Sequence, residues 1–159
     1  MFRIIEGGFA SGNPRAVLLA GPDAIVSGEP DGIAVAKFGW ADKSTGRATN
    51  ARTAPTQELG FVGPLSQPFA PWQARNIYSS LGFNPIIRPG LPITMYRRGD
   101  FFVRFPAGAQ LGARVYANLS DGTPISGYAD DAEETPWTVA RSAGPGQLAV
   151  ISTWSTFPS

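Results

Sequence analysis

Nineteen glycines and fifteen prolines are spread along nearly the whole of this 159-residue chain. Proline fixes φ and lacks a backbone N–H, glycine has no side chain to pack, and both interrupt helices. Prolines at 55, 64, 68, 71, 85, 89 and 92 leave no room for a long amphipathic helix in that part of the chain. What such punctuation permits is a set of short strands joined by turns. The expected fold is therefore all-β: a single compact β-sandwich, jelly-roll-like or barrel domain with short strands and long irregular loops. A length near 150 fits one domain, and a chain this size buries enough surface to hold together without disulfide or metal.

The strands show as period-2 alternation. Phe101, Val103 and Phe105 point one way while Phe102 and Arg104 point the other, the pattern of a strand with one buried face. With the apolar run at 91–96 it suggests a hairpin turning at Arg98-Gly99. Val115, Ala117 and Leu119 alternate against Arg114, Tyr116 and Asn118, and Asp121-Gly122 supplies a turn before a return strand at 124–126. Further strands are expected at 16–19, 32–38, 137–140 and 147–153, about eight in all. Residues 41–56 are polar and read as surface loop, and 71–82 has room for one short helix between Pro71 and Gly82. The chain then divides into an N-terminal arm at 1–15 and one β domain at 16–159, with 41–90 a long loop-rich insertion.

The chain has no cysteine and no histidine. Thiol nucleophiles, Cys/His zinc sites and imidazole bases are excluded together. No cofactor is expected, and no catalytic or metal-ligating residue is assigned. Thirteen basic residues against twelve acidic ones give a net charge of +1. The basic residues are scattered, so nucleic acid, which needs clustered cations, is not an expected partner. No apolar run is long enough to span a membrane, and the first six residues lack the apolar core of a signal peptide.

Several short motifs resolve into structural readings. Arg98-Gly99-Asp100 spells a cell-adhesion tripeptide but sits where a turn needs glycine. Asp130-Asp131-Ala132-Glu133-Glu134 lacks the ligand alternation and central glycine of a calcium loop. It reads as a solvated acidic loop, and its functional alternative is pairing with arginines of a neighbouring subunit. The glycine-rich 7–12 stretch has no Lys-Ser or Lys-Thr to complete a phosphate loop.

Three blocks carry a family resemblance: Gly8-Phe9-Ala10-Ser11-Gly12-Asn13-Pro14-Arg15, then Asp31-Gly32-Ile33-Ala34-Val35-Ala36, and the stretch from Ile93 through Val103 to Val115-Tyr116. With the closing Leu148-Ala149-Val150-Ile151-Ser152, they make the chain resemble the structural cement proteins that decorate tailed-bacteriophage capsids. The likeness covers residues 8–38 and 90–153 and rests on turns and apolar patterning; residues 41–90 depart from it. The resemblance implies a non-enzymatic virion protein made in the host bacterial cytoplasm. It would sit on the outer surface of the capsid and clamp neighbouring copies of the major capsid protein. It also implies a homo-oligomer, a dimer or trimer on a symmetry axis.

Two regions are the expected protein-binding sites. The arm offers Phe2, Ile4, Ile5 and Phe9 as apolar anchors with Arg3 and Arg15 as polar clamps. The 61–83 segment concentrates large apolar residues, with Trp72, Tyr78 and Phe83 as interface anchors. Alternative readings are a tail or head-completion component, or a small carbohydrate-binding or hydrolytic β domain.

Overall fold

The computed structural model describes residues 17–18, 26–28, 32–63, 86–90 and 93–153. Thirteen strands lie among them: β1 (Val17–Leu18), β2 (Val26–Ser27), β3 (Ile33–Ala34), β4 (Phe38–Asp42), β5 (Arg47–Thr49), β6 (Glu58–Val62), β7 (Ile86–Ile87), β8 (Met95–Arg98), β9 (Asp100–Arg104), β10 (Arg114–Asn118), β11 (Pro124–Ser126), β12 (Ala132–Arg141) and β13 (Leu148–Ser152). A six-stranded sheet runs β1-β8-β6-β4-β5-β2, a five-stranded sheet runs β11-β10-β12-β13-β9, and β3 pairs with β7 in a ribbon. Every pairing is antiparallel except β2 with β5. Among the described residues the fold is all-β as expected, in open sheets and not in a closed barrel.

The two large sheets meet through aromatic rings. Phe38 from β4 and Phe61 from β6 face Phe101 from β9 and Trp137 from β12, and all four are essentially fully buried. Ring centroids lie 4.6 Å apart for Phe61–Phe101 and 5.5 Å for Phe38–Trp137. Offset and edge-on contacts at such distances add to the area each ring buries. Val103, Val115, Ala117, Val139, Ala149 and Ile151 complete the inner face of the five-stranded sheet. The alternation read from Phe101/Val103 and Val115/Ala117 is the alternation observed.

The β8–β9 connection differs from the expected hairpin. β8 pairs with β6 and β1, whereas β9 pairs with β13. Gly99, at φ 144°, is a corner where the chain leaves one sheet for the other. Its carbonyl accepts the buried Trp137 indole N–H at 3.0 Å, and its own N–H donates to Thr153 Oγ1 at 2.9 Å. The side chain of Asp100 accepts a hydrogen bond from Ser152. The Arg-Gly-Asp tripeptide is thus built into the sandwich.

The loop expected at 41–56 is also corrected, because the end of β4 and all of β5 lie inside it. These strands are rich in small residues for a packing reason. A Cβ on Gly39 would stand 2.9 Å from Ile33 Cδ1 and 3.2 Å from Val62 Cγ2. The β3–β7 ribbon therefore lies on the outer face of the six-stranded sheet, and β4 is buried on both sides. Asn50 clamps it there: its Oδ1 accepts the Ala34 N–H at 2.7 Å, while its Nδ2 donates to the carbonyls of Ala34 and Phe38. Residues 71–82, the candidate helix, and the 1–15 arm lie outside the described residues.

The β10–β11 hairpin is present, with Tyr116 opposite Ile125. Its connection is wider than a two-residue turn: Asn118 N–H donates to the Thr123 carbonyl and Gly122 N–H to the Asn118 carbonyl. Gly122 is at φ 74°, and a Cβ there would lie 2.0 Å from the Phe38 carbonyl oxygen. That carbonyl belongs to the other sheet, so this turn abuts β4 too closely for any side chain. Gly146, at φ 73°, has nothing within 4 Å of the same position. Gly122→Ala should therefore lower stability by at least about 2 kcal/mol, whereas Gly146→Ala should cost only about 1 kcal/mol of backbone strain. Urea unfolding midpoints of the two variants check this, and equal shifts would refute the steric account.

Candidate binding surface

All nine residues expected to bind protein lie outside the described residues: Phe2, Arg3, Ile4, Ile5, Phe9 and Arg15 in the arm, and Trp72, Tyr78 and Phe83 in the 61–83 segment. The described part of that segment, Phe61, Val62 and Gly63, is buried. Among the described residues no three acidic side chains gather where a metal ion could be held. A cleft of about 430 Å³ lies between the 105–110 turn and β11. Phe105, Pro106, Pro124, Ile125 and Pro145 are among its lining residues, and no lining side chain is an acid or a base. That lining can hold an apolar group but offers nothing to move a proton.

The acidic run is not a loop throughout. β12 begins at Ala132, so Glu133 and Glu134 project to opposite faces of a strand. Glu133 points inward at the rim of the sandwich, where its Oε1 accepts the indole N–H of fully buried Trp40 at 3.2 Å. The same oxygen meets Arg52 Nη1 at 3.2 Å, and this pair links the two sheets. Glu134 points outward and meets Arg114 Nε at 3.4 Å. Both glutamates thus pair with arginines of their own chain, and the solvated-loop reading of the run holds at most for Asp130 and Asp131.

Further along, β12 bulges: Arg114 lies opposite Thr138 but Tyr116 opposite Glu134. Pro136 sits in the bulge, where a missing N–H is tolerated. The buried Thr135 hydroxyl donates to the Val115 carbonyl at 2.7 Å. The bulge holds two extra residues, so the alternation is kept and Thr135, Trp137 and Val139 all face inward.

Because β11 and β12 flank β10 on opposite sides and both run antiparallel to it, the chain between them must cross β10. Residues 127–131 make that crossing over the outer face, as a strap. It is tied at one end by Gly127 N–H to the Arg114 carbonyl at 2.8 Å, and at the other by Leu119 N–H to the Asp131 carbonyl at 2.9 Å. Tyr128 stands at 77% exposure. Its ring meets Tyr116 edge-on at 5.8 Å, and its hydroxyl donates to Asp130 Oδ1 at 2.8 Å. That bond to a carboxylate raises the phenol's pKa above its ordinary value. Half-buried Ile125, Tyr116, Val150, Phe102 and Leu148 share this outer face with Arg104, Arg114 and Glu134.

Sequence reasoning passed over Tyr128. The available signal was a tyrosine after a glycine, with Asp130 and Asp131 two and three residues on, a large aromatic at a place with no strand alternation to bury it.

On the opposite outer face, Glu58 takes Lys43 on one oxygen and Arg97 on the other, at 2.5 and 2.9 Å. The Lys43 hydrogen bond, followed by that of Arg97, holds the Glu58 carboxyl below its ordinary value of 4.5. A lowered folded-state pKa gives stability that is present above 4.5 and is lost as pH falls through the folded value. The stability difference between the wild type and Glu58→Gln should therefore be constant near neutrality and shrink below pH 4.5. Denaturant titrations across that range test it, and a difference independent of pH would refute it. At the inner rim, Glu133→Ala leaves the buried Trp40 N–H without its acceptor and should cost about 2 kcal/mol. Glu133→Gln keeps an acceptor and should cost about half as much. Thermal unfolding of both variants checks the order.

A sequence profile of the XM1 gp53 minor capsid protein family matches residues 3–153. Among solved structures, one chain from the capsid of Myoviridae phage XM1 is similar, with a TM-score of 0.60 at 15% identity. The match covers 94% of this chain and 89% of that one. No curated protein sequence matches.

Proposed function

This chain belongs to the XM1 gp53 minor capsid protein family, a structural component of a phage capsid, and we propose that within the capsid it serves as cement. In this reading it binds the outer surface of the shell, bridges neighbouring copies of the major capsid protein, and performs no chemistry. The observation that carries the reading is the family match over residues 3–153. Cement needs only association free energy. A subunit touching several neighbours gains avidity, because breaking one contact leaves the others in place. The absence of histidine and cysteine from the sequence and the apolar cleft lining agree with a binding role.

The arm and the 61–83 segment are the proposed adhesive regions, with Phe2, Ile4, Ile5, Phe9, Trp72, Tyr78 and Phe83 as anchors and Arg3 and Arg15 as clamps. A dimer or trimer on a symmetry axis is the proposed assembly state.

Quantitative mass spectrometry of purified virions should give a copy number equal to that of the major capsid protein or a simple fraction of it. A handful of copies would move the protein to the tail or portal. Deleting residues 2–9 should abolish binding to shells while the domain stays folded. Trp72→Ala should weaken binding by about 2 kcal/mol or more. Lower domain stability with unchanged shell affinity would instead assign Trp72 to the core.

A further inference from the structure

We infer that the 127–131 strap is a docking site for an arginine-bearing segment of a shell subunit, with Tyr128 as its anchor and Asp130 and Asp131 as the charges that select it. The inference rests on the shell-binding reading and adds a surface and a partner chemistry to it.

The first support is preorganisation. Tyr128 is a large aromatic side chain left 77% exposed, in a segment tied down at both ends by backbone hydrogen bonds. Its ring rests on Tyr116 and its hydroxyl is tethered to Asp130. A partner that covers it does not have to freeze a mobile side chain, and that ordering is a main expense of association. Fixed tyrosines of this kind are where interfaces concentrate their binding energy.

The second support is charge. Asp130 and Asp131 are both exposed, and neither enters an ion pair among the described residues. The other carboxylates of this region are already matched: Glu133 by Arg52 and Glu134 by Arg114. Because Arg114 is engaged by Glu134, the strap presents an aromatic ring beside uncompensated negative charge.

The chemistry that fits both features is a guanidinium. Its plane lies over an aromatic face, attracted by the ring quadrupole. Its N–H groups match a carboxylate in pairs, which an ammonium cannot do.

The test uses shells purified from phage lacking this protein, mixed with the full chain, with bound copies measured against concentration. Tyr128→Ala should weaken binding about tenfold, while Tyr128→Phe, which keeps the ring, should lose less. Asp130→Asn combined with Asp131→Asn should weaken binding comparably and flatten its dependence on salt around 0.1 M, where the screening length is about 10 Å. Thermal unfolding of all three should match the wild type, since the changed side chains are exposed. Wild-type affinity in the variants would overturn this inference alone. Weaker binding with an unchanged salt dependence would overturn the arginine assignment and leave an apolar partner. Failure of the wild-type chain to bind would overturn the shell-binding reading, and this inference with it.

Discussion

The sandwich is held by four rings, Phe38, Phe61, Phe101 and Trp137, each supplied by a different strand and each pressed against rings from the facing sheet. Strands of two to five residues bury little surface singly, and the longest, β12, is broken by a bulge. Large rings meeting at the centre compensate by burying much area per residue. The polar edge of this arrangement is handled locally. The indole N–H of Trp137 would be a serious liability in an apolar core. The Gly99 carbonyl satisfies it, so the corner that joins the sheets also completes their core.

The two outer faces of the sandwich are unlike. On the six-stranded side, Asn50 holds the β3–β7 ribbon against Gly39, and Glu58 gathers two cations beyond it. On the five-stranded side, half-buried apolar residues alternate with charges, and the strap raises Tyr128 above them. Among the described residues, one face is thus closed by the β3–β7 ribbon, while the other displays groups suited to contact.

Strand chemistry was legible wherever a strand had one wet face. Phe101, Val103, Val115 and Ala117 announce themselves by alternation, and the pervasive glycine and proline exclude a helical fold. β4 and β5 were illegible for the opposite reason. Buried on both sides, β4 carries Gly39 and Ala41 where a ribbon must approach, and small residues look like loop by composition. The corner at Gly99 was misread because Arg98-Gly99 satisfies a hairpin turn and a sheet crossing equally. Only the partners of β8 and β9, which lie far along the chain, decide between them. The acidic run likewise hid its split, since a strand sends Glu133 and Glu134 to opposite faces. Tyr128 escaped because a single aromatic in a loop has no period.

The crossing over β10 has a kinetic consequence. The β10–β11 hairpin is local and such units close in about microseconds. The pairs that finish the sheets span the sequence: Asp100 meets Ser152, and Val17 meets Arg98. Long-range pairings of this kind put a fold in the slow class, closing in roughly milliseconds to seconds. The strap runs from β11 to β12, so its closed form, tied by the Leu119 N–H to the Asp131 carbonyl, requires β12 to be paired on the far side of β10. The surface it forms is a product of the finished fold, and a half-folded chain does not carry it.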